Sequence, residues 1–141
     1  MALSKRNKIL LLIGLLFMFF AVLSIYLVYN KPHLNIEKSN IDYQTEASDL
    51  LSEFEENSAI ASQKYINKVI VVSGKVSSID ITENATNILL AEKGDFFGVY
   101  CSFPVDRVES LQNLTIGETV KIKGICTGYT DDVLLNNCTL N

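Results

Sequence analysis

The chain has 141 residues, 48% hydrophobic and 20% charged, with a formal net charge of −4, a size that holds one compact domain and an appendage. Four of its basic residues (Lys5, Arg6, Lys8 and Lys31) precede residue 32. Residues 32–141 therefore carry 8 basic against 16 acidic groups, a net of −8, which argues against a domain living on a phosphate backbone and suits a soluble domain kept off an anionic surface.

Residues 1–8 form a basic tail. Ile9 to Tyr29 is then an uncharged apolar run interrupted only by Gly14 and Ser24, close to the ~20 residues a helix needs to cross a bilayer. Lys5, Arg6 and Lys8 before it, and Tyr26 and Tyr29 at the far interface, place the amino end in the cytoplasm and the rest on the periplasmic or extracellular side. A cleaved signal peptide is the competing reading. The run is longer than a signal peptide's apolar region, and its small-residue pair, Ala21 and Ser24, lies inside the run, so an uncleaved single-pass anchor with the lipid bilayer as its partner is expected. No cysteine precedes Cys101, so a lipidated amino-terminal cysteine is not expected.

Residues 30–44, with Pro32 and no sustained period, read as a linker, and the single histidine, His33, falls in it. The folded domain is expected over 45–141. Glu46 to Lys64 reads as one helix, with Leu50, Phe54, Ala61 and Tyr65 on one face and Thr45 or Ser48 as cap. Glu53, Glu55 and Glu56 read as a solvated face rather than a metal or catalytic cluster.

Val69 to Ile81 is a β-branched run too long for an ordinary strand. Ile70, Val72, Gly74 and Val76 share one phase of a two-residue period, whereas Ile79 and Ile81 occupy the other, so the apolar face changes sides near Ser77 and Ser78. That slip implies a bulge or sharp coil, which suits a first strand that serves both halves of a small closed barrel of the OB type. Further strands are expected at Asn87–Ala91, at Phe96–Phe103 with Phe97, Val99, Cys101 and Phe103 inward, at Thr119–Cys126 and at Val133–Leu140. A short helix over Pro104–Leu114 is expected to plug the barrel. The pattern apolar-x-apolar-x-Gly-x-apolar occurs at Ile70–Val76 and again at Ile122–Cys126 from Val120, predicting that these two strands bend at corresponding glycines and lie side by side. The expected class is mainly β: a five-stranded OB-type barrel preceded by a helix and by an amino-terminal transmembrane helix.

The chemistry-bearing patterns are sparse. Gly124-Ile-Cys-Thr-Gly128 matches a nucleophile elbow, but a turn and strand follow it and no histidine base is near, so the glycines are assigned to a strand bend and a turn. Asp131-Asp132 reads as turn chemistry, and the cysteine spacings do not suggest zinc. Neither metal, cofactor nor catalytic residue is expected, and the protein is not read as an enzyme. Cys101, Cys126 and Cys138 are disulfide candidates in any of three pairings, or small buried hydrophobes. Asn84-Ala-Thr86, Asn113-Leu-Thr115 and Asn137-Cys-Thr139 fit the glycosylation pattern, as polar turns do by chance. Candidate ligand contacts are Phe96, Tyr100 and Tyr129 as stacking platforms and Lys75, Lys121 and Lys123 as anion partners, on a fold whose outer face and loops bind oligonucleotides.

Leu50-Leu-Ser-Glu-Phe54 with Glu56-Asn57, Tyr65, Val71-Val-Ser-Gly-Lys-Val76, Val99-Tyr-Cys-Ser-Phe103, Gly117-Glu-Thr-Val-Lys-Ile-Lys-Gly124, Cys126, Gly128 and Leu135-Asn-Asn-Cys138 together resemble the tRNA_anti-like family of bacterial OB-fold proteins. The likeness spans about residues 46–140. It implies a helix before a five-stranded barrel, often in membrane-anchored or lipoprotein form, and brings no catalytic residues. The expected function is a membrane-anchored, non-catalytic binding module for an unknown protein or small ligand. The alternative is single-stranded nucleic-acid binding, tRNA or oligonucleotide, which the acidic charge disfavours.

Overall fold

The computed structural model describes residues 5–29 and 35–141, which belong to two separate compact units, the second being Asn35–Asn141. Residues 30–34 of the expected linker, His33 among them, lie outside the described residues. In the first unit, Lys5–Tyr29 form helix α1. Its described side chains are exposed on every face, and Arg6–Leu27 reach a mean hydropathy of 2.8, making this the one described helix long and apolar enough to cross a membrane. Ser24 Oγ donates to Phe20 O at 2.8 Å, which hides the hydroxyl on an otherwise apolar surface.

The second unit begins earlier than its periodicity suggests. A 3-10 turn at Ile36–Lys38 buries Ile36 completely. Strand β1, Tyr43–Glu46, then pairs in parallel with residues 70–73. Asp42 seeds that pairing: its N–H donates to Val69 O at 2.8 Å and its carboxylate accepts from Val69 N at 2.9 Å. Residues 35–44 are thus part of the fold rather than a spacer. The expected single helix is two, α2 (Ala47–Glu56) and α3 (Ser58–Tyr65), broken at Asn57. Asn57 leaves helical backbone and its Oδ1 accepts from Ile60 N at 3.1 Å, so a mid-pattern asparagine caps a new helix instead of continuing the old one. Glu46, without a side-chain cap bond, stands where Thr45 or Ser48 was expected to cap.

The barrel consists of β2 (Val69–Ile81), β3 (Ala85–Leu90), β4 (Val99–Pro104), β5 (Thr119–Tyr129) and β6 (Val133–Leu140). The sheet order is β1-β2-β3-β4-β6-β5, and pairing of β2 with β5 closes it. Residues 69–75 of β2 pair with β5 and residues 76–81 with β3, with a register shift between Val76 and Ser78. The predicted slip is therefore a bulge at Ser77. It hands β2 from one neighbour to the other and lets one strand serve both sides of the ring. Beyond the bulge Ile79 packs against the core, but Ile81 is 73% exposed where an inward position was expected, because β2 there runs past the barrel.

Along β3 and β4 the phases hold: Thr86, Ile88 and Leu90 and then Val99, Cys101 and Phe103 are buried. Strand β4 starts three residues later than expected, leaving Phe96 and Phe97 in the β3–β4 loop, exposed and outside the core. The plugging segment is a 3-10 helix, Val105–Leu111, that contributes Leu111 to the core. Strands β2 and β5 do lie side by side, antiparallel, but their glycines are not opposed: Gly74 faces Val120 and Gly124 faces Ile70. Leu50, Phe54, Ala61 and Tyr65 join the barrel side chains in one continuous core. Burial of such apolar side chains, each worth about 1.5–3 kcal/mol, is the main stabilising term.

Candidate functional site

Strand alternation that buries Ile88, Leu90, Val99, Cys101, Val133 and Leu135 necessarily turns the intervening residues outward. Register then aligns them: Leu89 lies opposite Tyr100, and Tyr100 opposite Leu134. These three half-buried side chains make a row across β3, β4 and β6, extended on β2 by Ser78 opposite Leu89. A second row, Asp80, Asn87 and Ser102, runs beside it. Thr127 and Asn136 border β6, where Asn136 Nδ2 donates to Thr127 Oγ1 at 3.3 Å. The face is an aromatic ring between two leucines, ringed by small hydrogen-bonding groups. Besides Tyr100, the ionisable group in these rows is acidic, Asp80 on β2, and the adjoining β2–β3 and β5–β6 turns carry Glu83 and Asp131. Asp132 is engaged elsewhere, its carboxylate accepting from Gly98 N at 2.7 Å and so fixing the entry to β4.

Of the six candidate contacts, only Tyr100 stands on this face. Lys75 lies across the barrel, 3.4 Å from the Glu92 carboxylate and largely exposed, beside a shallow groove of about 490 Å³ that also takes in Val76, Ile116 and Gly117. Lys121 is exposed on β5 opposite Ser73. Lys123 is 5% exposed, and its ammonium donates to Glu37 O at 3.2 Å and Ser39 O at 2.7 Å. It ties the segment before β1 to the barrel and is not a free anion partner. Tyr129 packs inward, its ring stacked on Phe54 at 5.1 Å. Phe96 is 88% exposed in the β3–β4 loop, away from this face, where it borders a groove with Phe97, Leu51 and Glu55. The residues that sequence reading missed, Leu89, Leu134, Asn87 and Ser102, are simply the off-phase positions of strands correctly placed. The β3–β4 pairing aligns Asn87 with Ser102 and Leu89 with Tyr100, and the parallel β4–β6 pairing, which joins residues more than thirty apart, brings Leu134 into the Leu89–Tyr100 row.

The three cysteines are buried free thiols. Burial pushes the Cys126 thiol up to about 11, and burial, with the neighbouring Cys138 side chain, raises Cys101 well above the ordinary thiol range. Gly124-Ile-Cys-Thr-Gly128 runs along β5 without any elbow. Among the described residues no group of acidic, cysteine or histidine side chains is placed to hold a metal.

A five-stranded ring of this order, led by a coiled strand shared between its two neighbours, is an OB-fold domain. The chain belongs to the tRNA_anti-like family, which it matches over residues 1–139. Among solved structures, a protein described as a candidate nucleic acid-binding lipoprotein from Klebsiella pneumoniae has the same fold, with a TM-score of 0.56 and 19% identity over 70% of this chain and 92% of that one. Yeast Stn1 and Ten1 (TM-score 0.45, 13% identity, 74% of this chain and 64% of that one) are more distant. So is a candidate aspartyl-tRNA synthetase from Leishmania major (TM-score 0.48, 9% identity, 79% and 22%). No curated protein matches the chain.

Proposed function

We propose that the chain is a single-pass membrane protein of the cytoplasmic membrane, with residues 1–8 inside and Ile9–Tyr29 crossing the bilayer. On this reading it presents a non-catalytic OB barrel on the periplasmic or extracellular side. The apolarity of α1 on every face and the basic residues before it support the anchor and its direction. The observation that carries the binding function is the Leu89–Tyr100–Leu134 row: half-buried, uncharged and bordered by hydrogen-bonding side chains. With Asp80 in its second row, Glu83 and Asp131 in the adjoining turns and no lysine or arginine in either row, the face suits a neutral or cationic polypeptide or small ligand. A phosphate backbone needs several lysines or arginines tracking its charges.

A photo-crosslinking residue at position 100 of the full chain, compared in intact cells with one at position 121, tests this. A polypeptide or small-molecule adduct formed at 100 and absent at 121 is expected. A nucleic-acid adduct, with micromolar oligonucleotide binding by the purified chain that weakens steeply with salt, would replace this function with the nucleic-acid one. Fractionation of the same cells, with a membrane-impermeant label on a cysteine introduced at position 38, reads the topology: the chain is expected in the membrane fraction and labelled from outside.

A further inference from the structure

Helix α2 buries Ala47, Leu50 and Phe54, so Ser48, Leu51 and Glu55, each one position on, form an adjoining stripe at helical spacing. The β3–β4 loop lies along that stripe, and its course is fixed at both ends. Gly94 turns at a φ of +100° with Asp95 N donating to Glu92 O at 3.1 Å, and Gly98 N is held by the Asp132 carboxylate at 2.7 Å. Between these ties Phe96 and Phe97 are kept out of the core, and Phe96 is the most exposed large hydrophobic side chain among the described residues. Stripe and loop border an open groove of about 330 Å³, with Leu51 and Glu55 on the helix wall and Asp95, Phe96 and Phe97 on the loop wall. It shares no residue with the Leu89–Tyr100–Leu134 row.

The ionisable groups of this groove are carboxylates alone. Among the described residues neither Glu55 nor Asp95 has a side-chain hydrogen bond or an ion pair. Lys93, the basic residue of the loop, lines the neighbouring groove at Ile116 and Gly117. The two phenyl rings stack on no other ring. An apolar occupant would cover the rings but strip water from two unpaired carboxylates, and an anion would be repelled by both. A guanidinium or ammonium group on an aliphatic stem meets both demands, the stem lying on the rings while the cation faces their π-electrons and the carboxylates. A lipid headgroup amine brings a phosphate with it, for which the groove lining has no basic residue. A peptide backbone brings amides instead, to which Ser48 and Ser52 present hydroxyls.

We propose that this groove binds a polypeptide segment through an arginine or lysine side chain, its charge shared by Glu55 and Asp95 and its stem laid against Phe96 and Phe97.

The test titrates the full chain, in maltoside micelles at about 0.15 M salt, into a fluorescein-labelled peptide with one arginine among leucines and alanines. The control peptide carries citrulline in its place, which keeps the shape of arginine and loses the charge. Fluorescence anisotropy should show the arginine peptide binding about tenfold more tightly. Phe96→Ser, and Glu55→Gln combined with Asp95→Asn, should each remove that preference. Glu109→Gln, which also removes an acidic charge but lies on the 3-10 helix outside the groove, should keep it. All four positions are exposed, so these variants are expected to retain the Tm of the parent chain. Equal binding of the two peptides, or a preference that Glu109→Gln weakens as much as the groove variants do, would overturn the proposal. Displacement of the arginine peptide by glycerophosphoethanolamine at lower concentration than by arginine amide would assign the groove to a lipid headgroup and overturn it too.

Discussion

Individual side chains set how little freedom this barrel has. Gly98 opens β4, and a Cβ there would fall 2.1 Å from Leu90 O and 3.0 Å from the Ala91 methyl. A backbone carbonyl in a paired strand cannot retreat, so Gly98→Ala is expected to cost more than about 3 kcal/mol or to prevent folding, readable as loss of the cooperative denaturant transition. Thr86 presents the opposite case. Its hydroxyl is buried without a hydrogen-bond partner, so Thr86→Val removes an unpaired polar group at nearly constant shape and should raise stability by about 1 kcal/mol, measured as a higher midpoint at unchanged slope. Lys123 was legible only as a lysine on the outward phase of β5. Its carbonyl partners, Glu37 and Ser39, lie more than eighty residues earlier. Lys123→Met should free the segment before β1 to proteolysis and leave crosslinking from position 100 unchanged.

The helical pair between β1 and β2 is an element whose existence was readable and whose break was not. Periodicity ran unbroken from Leu50 to Tyr65, but Asn57 leaves helical backbone and its side chain caps α3 by accepting from Ile60 N, so two short helices replace one. The two are clasped. Lys64 Nζ lies 2.7 Å from Glu53 Oε2, Tyr65 Oη donates to Glu53 Oε1 at 3.0 Å, and the Lys64 ammonium sits 4.5 Å above the Tyr65 ring. The hydrogen bond from Lys64 holds the Glu53 carboxyl below its usual 4.5, despite some opposing desolvation, and the same bond raises Lys64. A lowered carboxyl stabilises the fold above its unfolded-state pKa, and that contribution disappears as pH falls below about 4.5 through the folded value. Both side chains are about two-fifths exposed, so solvent screening limits the pair to roughly 0.2–1 kcal/mol. Glu53→Gln should therefore lower Tm by a few degrees at pH 7 and flatten its decline in acid, as followed by circular dichroism. Phe54, stacked on Tyr129 and fully buried, matters far more: Phe54→Ala is expected to cost about 3–5 kcal/mol.

At the scale of the whole molecule, the two units follow from two kinds of sequence pattern. The long uncharged run of α1 and the two-residue alternation of the strands are local properties, and each was legible because hydrophobic burial imposes its period directly on the chain. The slip of phase near Ser77 even announced a closed barrel, since only a ring gives both faces of β2 an interior. The sequence by itself determined the apolar helix, the five strands, the bulge and most of the inward residues, Ile81 and Phe97 excepted. The tertiary structure alone decided which outward residues share a face and which lysine is buried. Those are relations between strands far apart in the chain. They are set by the parallel β4–β6 register and by the packing of residues 37–39 on β5, and no local periodicity records either.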